Sequence, residues 1–102
     1  VIYVDDFRVP AKVGSTRARW SHLTADTEEE LHAFAARLGL KREWFQTCKR
    51  KCSPEGIPCP HWHYDVTDTK RALASAFGAT AITYRQMGSL CSARRKGETW
   101  AP

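Results

Sequence analysis

No run of apolar residues approaches the roughly 20 that a bilayer-spanning helix needs, so a helical membrane protein is excluded. The opening stretch, VIYVDDFRVPAKVG, has neither a basic flank nor a long apolar segment and does not read as a signal peptide. The expectation is a cytoplasmic protein with reduced thiols, no membrane partner, and cysteines available as metal ligands or redox groups. A mature secreted chain would instead offer three pairings of its four cysteines. Repeats, linkers and low-complexity tracts are lacking, so 102 residues read as one domain with one modest core. The paired C-x2-C knuckles of many zinc modules are missing too. Acidic residues are in deficit, 11 against 16 Lys and Arg, and the net charge of +5 favours polyanionic partners such as nucleic acid, nucleotides or other phosphate-bearing ligands.

What the chain does have is a concentration of ligands between Trp44 and Val66. Cys48, Cys52, Cys59, His61 and His63 read C-x3-C-x6-C-x-H-x-H, and thiolates beside imidazoles are the donors that tetrahedral Zn2+ selects. Pro54, Gly56, Pro58 and Pro60 oppose helix or central strand, so the donors sit on a loop covering 47–61 that a metal would hold together. His61 is the expected fourth ligand beside the three cysteines, because it lies nearer the proline-rich segment; Cys91 is the runner-up. Free thiols are the bland alternative.

Around this loop the pattern predicts an α+β fold, a small sheet of about four or five strands with two main helices on one face. Ile2 to Asp5 reads as a strand ending where Asp5 and Asp6 are displayed, Lys12 to Thr16 as a turn, and Arg19 to Leu23 as a second strand with Trp20 and His22 on one face. Thr27 to Leu38 is the clearest helix, with a Thr27/Glu30 capping box, an inward stripe of Leu31, Phe34, Ala35 and Leu38, and Gly39 as its stop. His32 falls at the border of that stripe. Lys41 to Gln46 leads by a short strand into the cysteine loop and Trp62 to Val66 leads out, with Trp62, Tyr64 and Val66 on one side and His63 and Asp65 on the other. Thr67 or Asp68 caps a second helix, Lys70 to Phe77, with Leu73, Ala76 and Phe77 inward. A strand near Ala81 to Tyr84, a short helix from Gln86 to Arg94 and a polar tail, 95–102, complete the expectation.

The segments YVDD, SHLTADTEEELHAFAARLGL, WFQ, HYDVTDTKRAL and FGA, in this order, resemble the domain-of-unknown-function 4031 family of short bacterial and phage proteins. The likeness runs from Ile2 to Ala79 and places the family's motif positions on Asp5, Asp6, His22, Asp26, His32, Gln46, His63, Asp65, Lys70 and Arg71. The cysteine-bearing loop departs from the family pattern and stands as a local addition.

Two function classes follow. In the first, Asp5, Asp6, His22, His63 and Asp65 converge as a catalytic pocket that holds a divalent ion, distinct from the zinc of the cysteine loop, while His32, Gln46, Lys70 and Arg71 contact a nucleotide or nucleic-acid phosphate, as in a metal-dependent hydrolase or phosphoesterase. In the second, a zinc-stabilised module without catalysis presents Lys49, Arg50 and Lys51 beside Trp44, Trp62 and Tyr64 to single-stranded nucleic acid. A factor that binds only a phage or host protein is a further alternative. Geometry separates the classes, because the pocket requires His22 and His63 on the same side of the sheet.

Overall fold

The computed structural model describes residues 1–102. Its hub is a long strand, Thr16–Ala25. The first strand, β1 (Ile2–Val4), pairs antiparallel with its C-terminal end, Val4 opposite Leu23. The second, β2 (Val9–Val13), pairs with its N-terminal half through a Gly14–Ser15 turn, making the long strand β3. Here the expected Lys12 to Thr16 turn shrinks to two residues. Pro10 and the uniformly exposed side chains of β2 hid a strand that has no buried face to mark it. Gly14 takes φ +60°, the left-handed region a tight hairpin turn requires.

Helix α1 (Glu28–Arg37) follows, with Thr27 as N-cap accepting from the Glu30 amide at 3.2 Å. The reciprocal half of the capping box does not form, because the Glu30 carboxylate turns to the Thr27 hydroxyl and the Val1 amino group. Leu31, Phe34, Ala35 and Leu38 are all buried, as the 3.6-residue period predicts. Arg42–Trp44 is a 3-10 turn where a strand was expected; only an isolated bridge, Gln46 to His63, precedes the cysteine loop.

The exit strand β4 (Tyr64–Thr67) pairs antiparallel with β3, placing Asp65 directly opposite His22 and Tyr64 opposite Leu23. Helix α2 (Asp68–Ala76) is capped by the Thr67 hydroxyl. Its fully buried residue is Ala74, with Leu73 half-buried; Ala76 and Phe77, expected inward, are exposed, and the helix starts two residues earlier than expected. The last strand, β5 (Thr80–Ala81), pairs parallel with β1 and is shorter than expected, since Tyr84 opens helix α3 (Tyr84–Arg95) behind a Thr83/Gln86 capping box.

Helices α1 and α2 cover one face of the sheet. Their core joins Val4, Leu23, Tyr64 and Val66 to Leu31, Phe34, Leu38 and Ala74. Alternation turns Tyr3 to the reverse face, where it packs with Ile82, Met87, Leu90 and Cys91 in a second cluster built on α3. The expected polar tail folds back onto it, the Trp100 ring edge-on to Tyr3 at 5.4 Å.

Phe34 touches both helices of the larger core, lying 6.5 Å from the Phe77 ring with Arg37 stacked over it. Replacing Phe34 with Ala should therefore cost about 3 kcal/mol or more in a urea unfolding titration. A loss below about half a kcal/mol would mean the stripe is not a core face.

Candidate metal centre

The sheet brings four of the expected site residues together. Asp5, just past the end of β1, is fully buried rather than displayed at the surface. Its amide donates to the His22 carbonyl at 3.0 Å, but the His22 amide donates to Asp5 Oδ1 at 2.8 Å. A side-chain oxygen has taken the place of the main-chain acceptor. The same Oδ1 accepts the Phe7 amide at 3.2 Å, and Oδ2 faces His22 Nδ1 at 2.7 Å. Burial of this carboxylate is offset by those donors, and no buried side-chain polar atom in the structure lacks a partner.

His22, Asp65 and His63 form a ring on the face of the sheet opposite α1 and α2. The two imidazoles stand edge to face with centroids 5.0 Å apart. One ligand atom from each of His22, His63 and Asp65 lies within 4.8 Å of the others. His63 Nδ1 is 2.8 Å from the His61 carbonyl oxygen, and a carbonyl can only accept, so Nδ1 carries the proton. His22 Nδ1, against the Asp5 carboxylate, is arranged the same way. Both Nε2 lone pairs are thereby turned outward, the state a metal-binding histidine adopts when its other nitrogen is tied to a carboxylate or carbonyl. Asp65 is held likewise, Oδ2 accepting from the Gln46 amide at 2.7 Å while Oδ1 lies 3.1 Å from His63 Nε2.

That last contact sets the chemistry. An imidazole lone pair and a carboxylate oxygen are both acceptors and need a cation between or upon them, a proton or a metal ion. Burial by itself lowers the His63 pKa, but the hydrogen bonds to Asp65 and the His61 carbonyl, with the charges of Asp65 and Asp5, outweigh it and leave it raised. Burial likewise acts to raise the Asp65 pKa, and the opposing bond and charge of His63, with the Gln46 amide, bring it below its ordinary value. A cleft of about 650 Å³ opens beside Asp65 and Gln46, walled by Trp20 and Trp44, a volume suited to a small-molecule ligand.

The second cluster lies in the cysteine loop. Cys48, Cys52, Cys59 and His61 offer ligand atoms within 4.8 Å of one another. With Zn–S near 2.3 Å, tetrahedral ligand atoms sit about 3.8 Å apart. The spacings from His61 Nδ1 to Cys48 Sγ, 3.4 Å, and to Cys59 Sγ, 3.9 Å, match those edges. Cys59 Sγ also receives the Cys48 and His61 amides, at 3.5 and 3.4 Å. Burial opposes ionisation of Cys59, but those amides hold its pKa down, whereas burial and the neighbouring thiols push Cys48 up to about 11. Cys91, the runner-up ligand, is buried with Tyr3 and Leu90 and stays outside the set.

Other expected contacts fall elsewhere. Asp6 accepts the Tyr84 amide at 2.7 Å, at the start of α3, and is not in the ring. Asp26 takes the Tyr3 hydroxyl. His32 lies on the α1 side of the sheet, with Nδ1 2.8 Å from the buried Tyr64 hydroxyl and its ring against Phe45. Lys70 lines the cleft, but its ammonium donates to the Leu38 carbonyl at 2.6 Å, completing the end of α1. Arg71 donates Nε to the Asp5 carbonyl at 2.7 Å, a bracing contact rather than a rim. Lys49, Arg50 and Lys51 are exposed, yet of the aromatics expected beside them Tyr64 is buried and Trp62 lies beneath Arg94 at 3.6 Å. Only Trp44 is left open as a platform. Sequence reasoning missed Phe7 and Tyr84, exposed rings that stack on each other at 4.3 Å and lie nearly parallel to His22. Neither carries a polar motif; the aromatic just after the Asp5-Asp6 pair was the available signal.

The family described as Protein of unknown function (DUF4031) matches residues 2–94. The chain belongs to this family. The match runs past the Ile2 to Ala79 likeness and takes in nearly all of α3. No curated protein and no solved structure matches the chain significantly.

Two predictions follow from this geometry. In Asp5→Asn the amide oxygen can still accept the two main-chain amides, but its NH2 then faces His22 Nδ1 and forces the proton onto Nε2. Divalent-metal affinity should drop roughly 10- to 100-fold with the circular dichroism unchanged. Unaltered affinity would mean that His22 does not ligate through Nε2. Separately, burial and then the Arg42 guanidinium hold the His32 pKa below its ordinary value. The unfolded chain takes up this proton near pH 6.5 while the folded chain resists it, so this contribution to stability is present above about pH 6.5 and is lost as the pH falls towards the folded pKa. His32→Gln should flatten the decline in stability between pH 7.5 and 5.5, measured by urea unfolding; an identical decline would place its cause elsewhere.

Proposed function

We propose that this protein is a metal-dependent phosphoesterase acting on a nucleotide or nucleic-acid substrate, with His22, His63 and Asp65 as ligands of the catalytic divalent ion and Zn2+ in the cysteine loop as a structural ion. The observation that carries the reading is the pair of imidazoles with both Nδ1 protons engaged, converging with a carboxylate on one point. Three protein ligands leave positions open for water and substrate, the pattern of catalytic rather than structural sites, whereas three thiolates and an imidazole close a tetrahedron. Bound there, a divalent ion lowers the pKa of water and polarises a phosphoryl oxygen.

The chain's own groups supply the rest. Asp5 fixes the His22 ring and its tautomer, the His61 carbonyl does so for His63, and Gln46 holds Asp65 so that Oδ1 faces the ion. The cleft beside Asp65 accepts the body of the substrate, with Trp20 and the exposed Trp44 as surfaces for a base. The same reading places the protein in the cytoplasm, where nucleotides and nucleic acid are found.

The test is hydrolysis of bis(p-nitrophenyl) phosphate and of a short single-stranded oligonucleotide, with Mn2+ or Zn2+ added to chelator-treated protein. His22→Ala and Asp65→Asn should each abolish metal-dependent turnover and weaken divalent binding by more than the roughly 10- to 100-fold expected for losing a supporting residue. Turnover that persists in both variants would refute the assignment. Tight oligonucleotide binding without turnover, lost on Lys49→Ala and Arg50→Ala, would establish the non-catalytic module instead.

A further inference from the structure

The two clusters are joined through one residue. His61 Nδ1 points at Cys48 and Cys59, and the His61 amide donates to Cys59 Sγ. The carbonyl of the same residue accepts the Nδ1 proton of His63 at 2.8 Å. We propose that zinc in the cysteine loop positions the catalytic histidine: His61 is ligand on one side and orienting acceptor on the other, so loss of the loop's metal disarms the second site. This rests on the divalent site proposed above.

The surroundings of His61 support the coupling. Among main-chain hydrogen bonds outside helices and strands, only Ile57 to Pro54 lies wholly between Thr47 and Pro60, so the loop has almost no hydrogen-bonded framework of its own. Side chains of α3 reach across to it, Arg94 to the Pro60 carbonyl at 2.6 Å and Arg95 to the Cys52 carbonyl at 3.2 Å. Trp62, between the two histidines, is rigid: its carbonyl accepts the Thr24 hydroxyl at 2.9 Å and its ring lies under Arg94. Those anchors lie beyond the peptide that carries the His61 carbonyl, so a rotation of that peptide acts directly on the His63 Nδ1 proton it accepts. The neighbours of His61, Pro60 and Trp62, are held by Arg94 and Thr24, but the partners of the His61 ring and amide themselves are Cys48 and Cys59 of the ligand set. A metal ion supplies in four bonds the constraint that the loop's backbone lacks.

The experiment compares His61→Ala with His61→Cys in the full chain. The Cys variant keeps four donors and the orienting carbonyl; the Ala variant loses a ligand. Four readouts apply: the thiolate-to-cobalt absorption of the Co2+-loaded loop, the His63 Nδ1–H resonance, Mn2+ affinity at the second site, and kcat against KM for bis(p-nitrophenyl) phosphate. In His61→Ala the Co2+ affinity of the loop should fall and the cobalt band should weaken and shift, the His63 resonance should broaden, and Mn2+ affinity should fall about 10-fold or more, with kcat reduced more than KM is raised. His61→Cys should restore all four. If the Ala variant does not fold, Cys52→Ser is read in its place. The proposal is overturned if Co2+ binding in the loop is weakened while the His63 resonance and Mn2+ affinity stay as in the parent, or if His61→Cys keeps the band and loses them. Absence of turnover in the parent would defeat the phosphoesterase reading alone, since the resonance and the Mn2+ affinity still judge the coupling.

Discussion

The buried Asp5 carboxylate is the constraint on which the rest of the structure depends. By accepting the His22 amide with a side-chain oxygen, it ends β1 pairing without leaving β3 unsatisfied and frees its own carbonyl for Arg71 of α2. The chain then turns sharply. Arg8 adopts φ 48°, unusual for a non-glycine residue, and is held by its amide on the Ser21 hydroxyl and its guanidinium on Asp68. Such strain persists only where neighbours over-determine it, and it tends to cluster at functional sites. The turn lays Phe7 against the His22 ring. One residue thus ends β1, anchors α2 through its carbonyl, and with its carboxylate chooses the tautomer of the histidine beside it.

The same logic governs the second histidine with different parts. A carbonyl replaces the carboxylate, and the segment that carries it belongs to the cysteine loop instead of a strand. The loop leaves and rejoins the sheet at the β-bridge between Gln46 and His63, so it grows out of the point closest to the site. Its three thiols and one imidazole lie close enough together to share a single metal ion. The two clusters also divide by donor hardness: the loop offers soft thiols beside an imidazole, a set suited to zinc, while the sheet offers imidazole and carboxylate, a harder set suited to an ion that keeps open positions.

Much of this was legible in the sequence. The α+β class, the stripe of α1, the alternation of His63 and Asp65 against Tyr64 and Val66, and the donor set of the loop follow from periodicity and spacing. Part of what escaped depends on partners distant in sequence. Asp5 reads as a surface acid until the His22 amide is seen to need an acceptor. Lys70 and Arg71 read as free cations because nothing local reveals the Leu38 and Asp5 carbonyls waiting for them. Strand β2 was hidden because a hairpin exposed on both sides carries no apolar alternation, and α3 began early because its Thr83/Gln86 cap went unread. The convergence of His22 with His63 was inferred from parity, and the β3–β4 register realises it by pairing His22 with Asp65.

The most direct measurement of the central claim is a crystal structure of metal-loaded protein with anomalous data collected at the absorption edge of the ion. The account predicts a peak about 2.0–2.2 Å from His22 Nε2, His63 Nε2 and Asp65 Oδ1, with solvent completing its coordination, in addition to a closed tetrahedral peak among Cys48, Cys52, Cys59 and His61. An occupied cysteine set with no peak on the sheet, and a direct hydrogen bond retained between His63 and Asp65 under saturating metal, would contradict it.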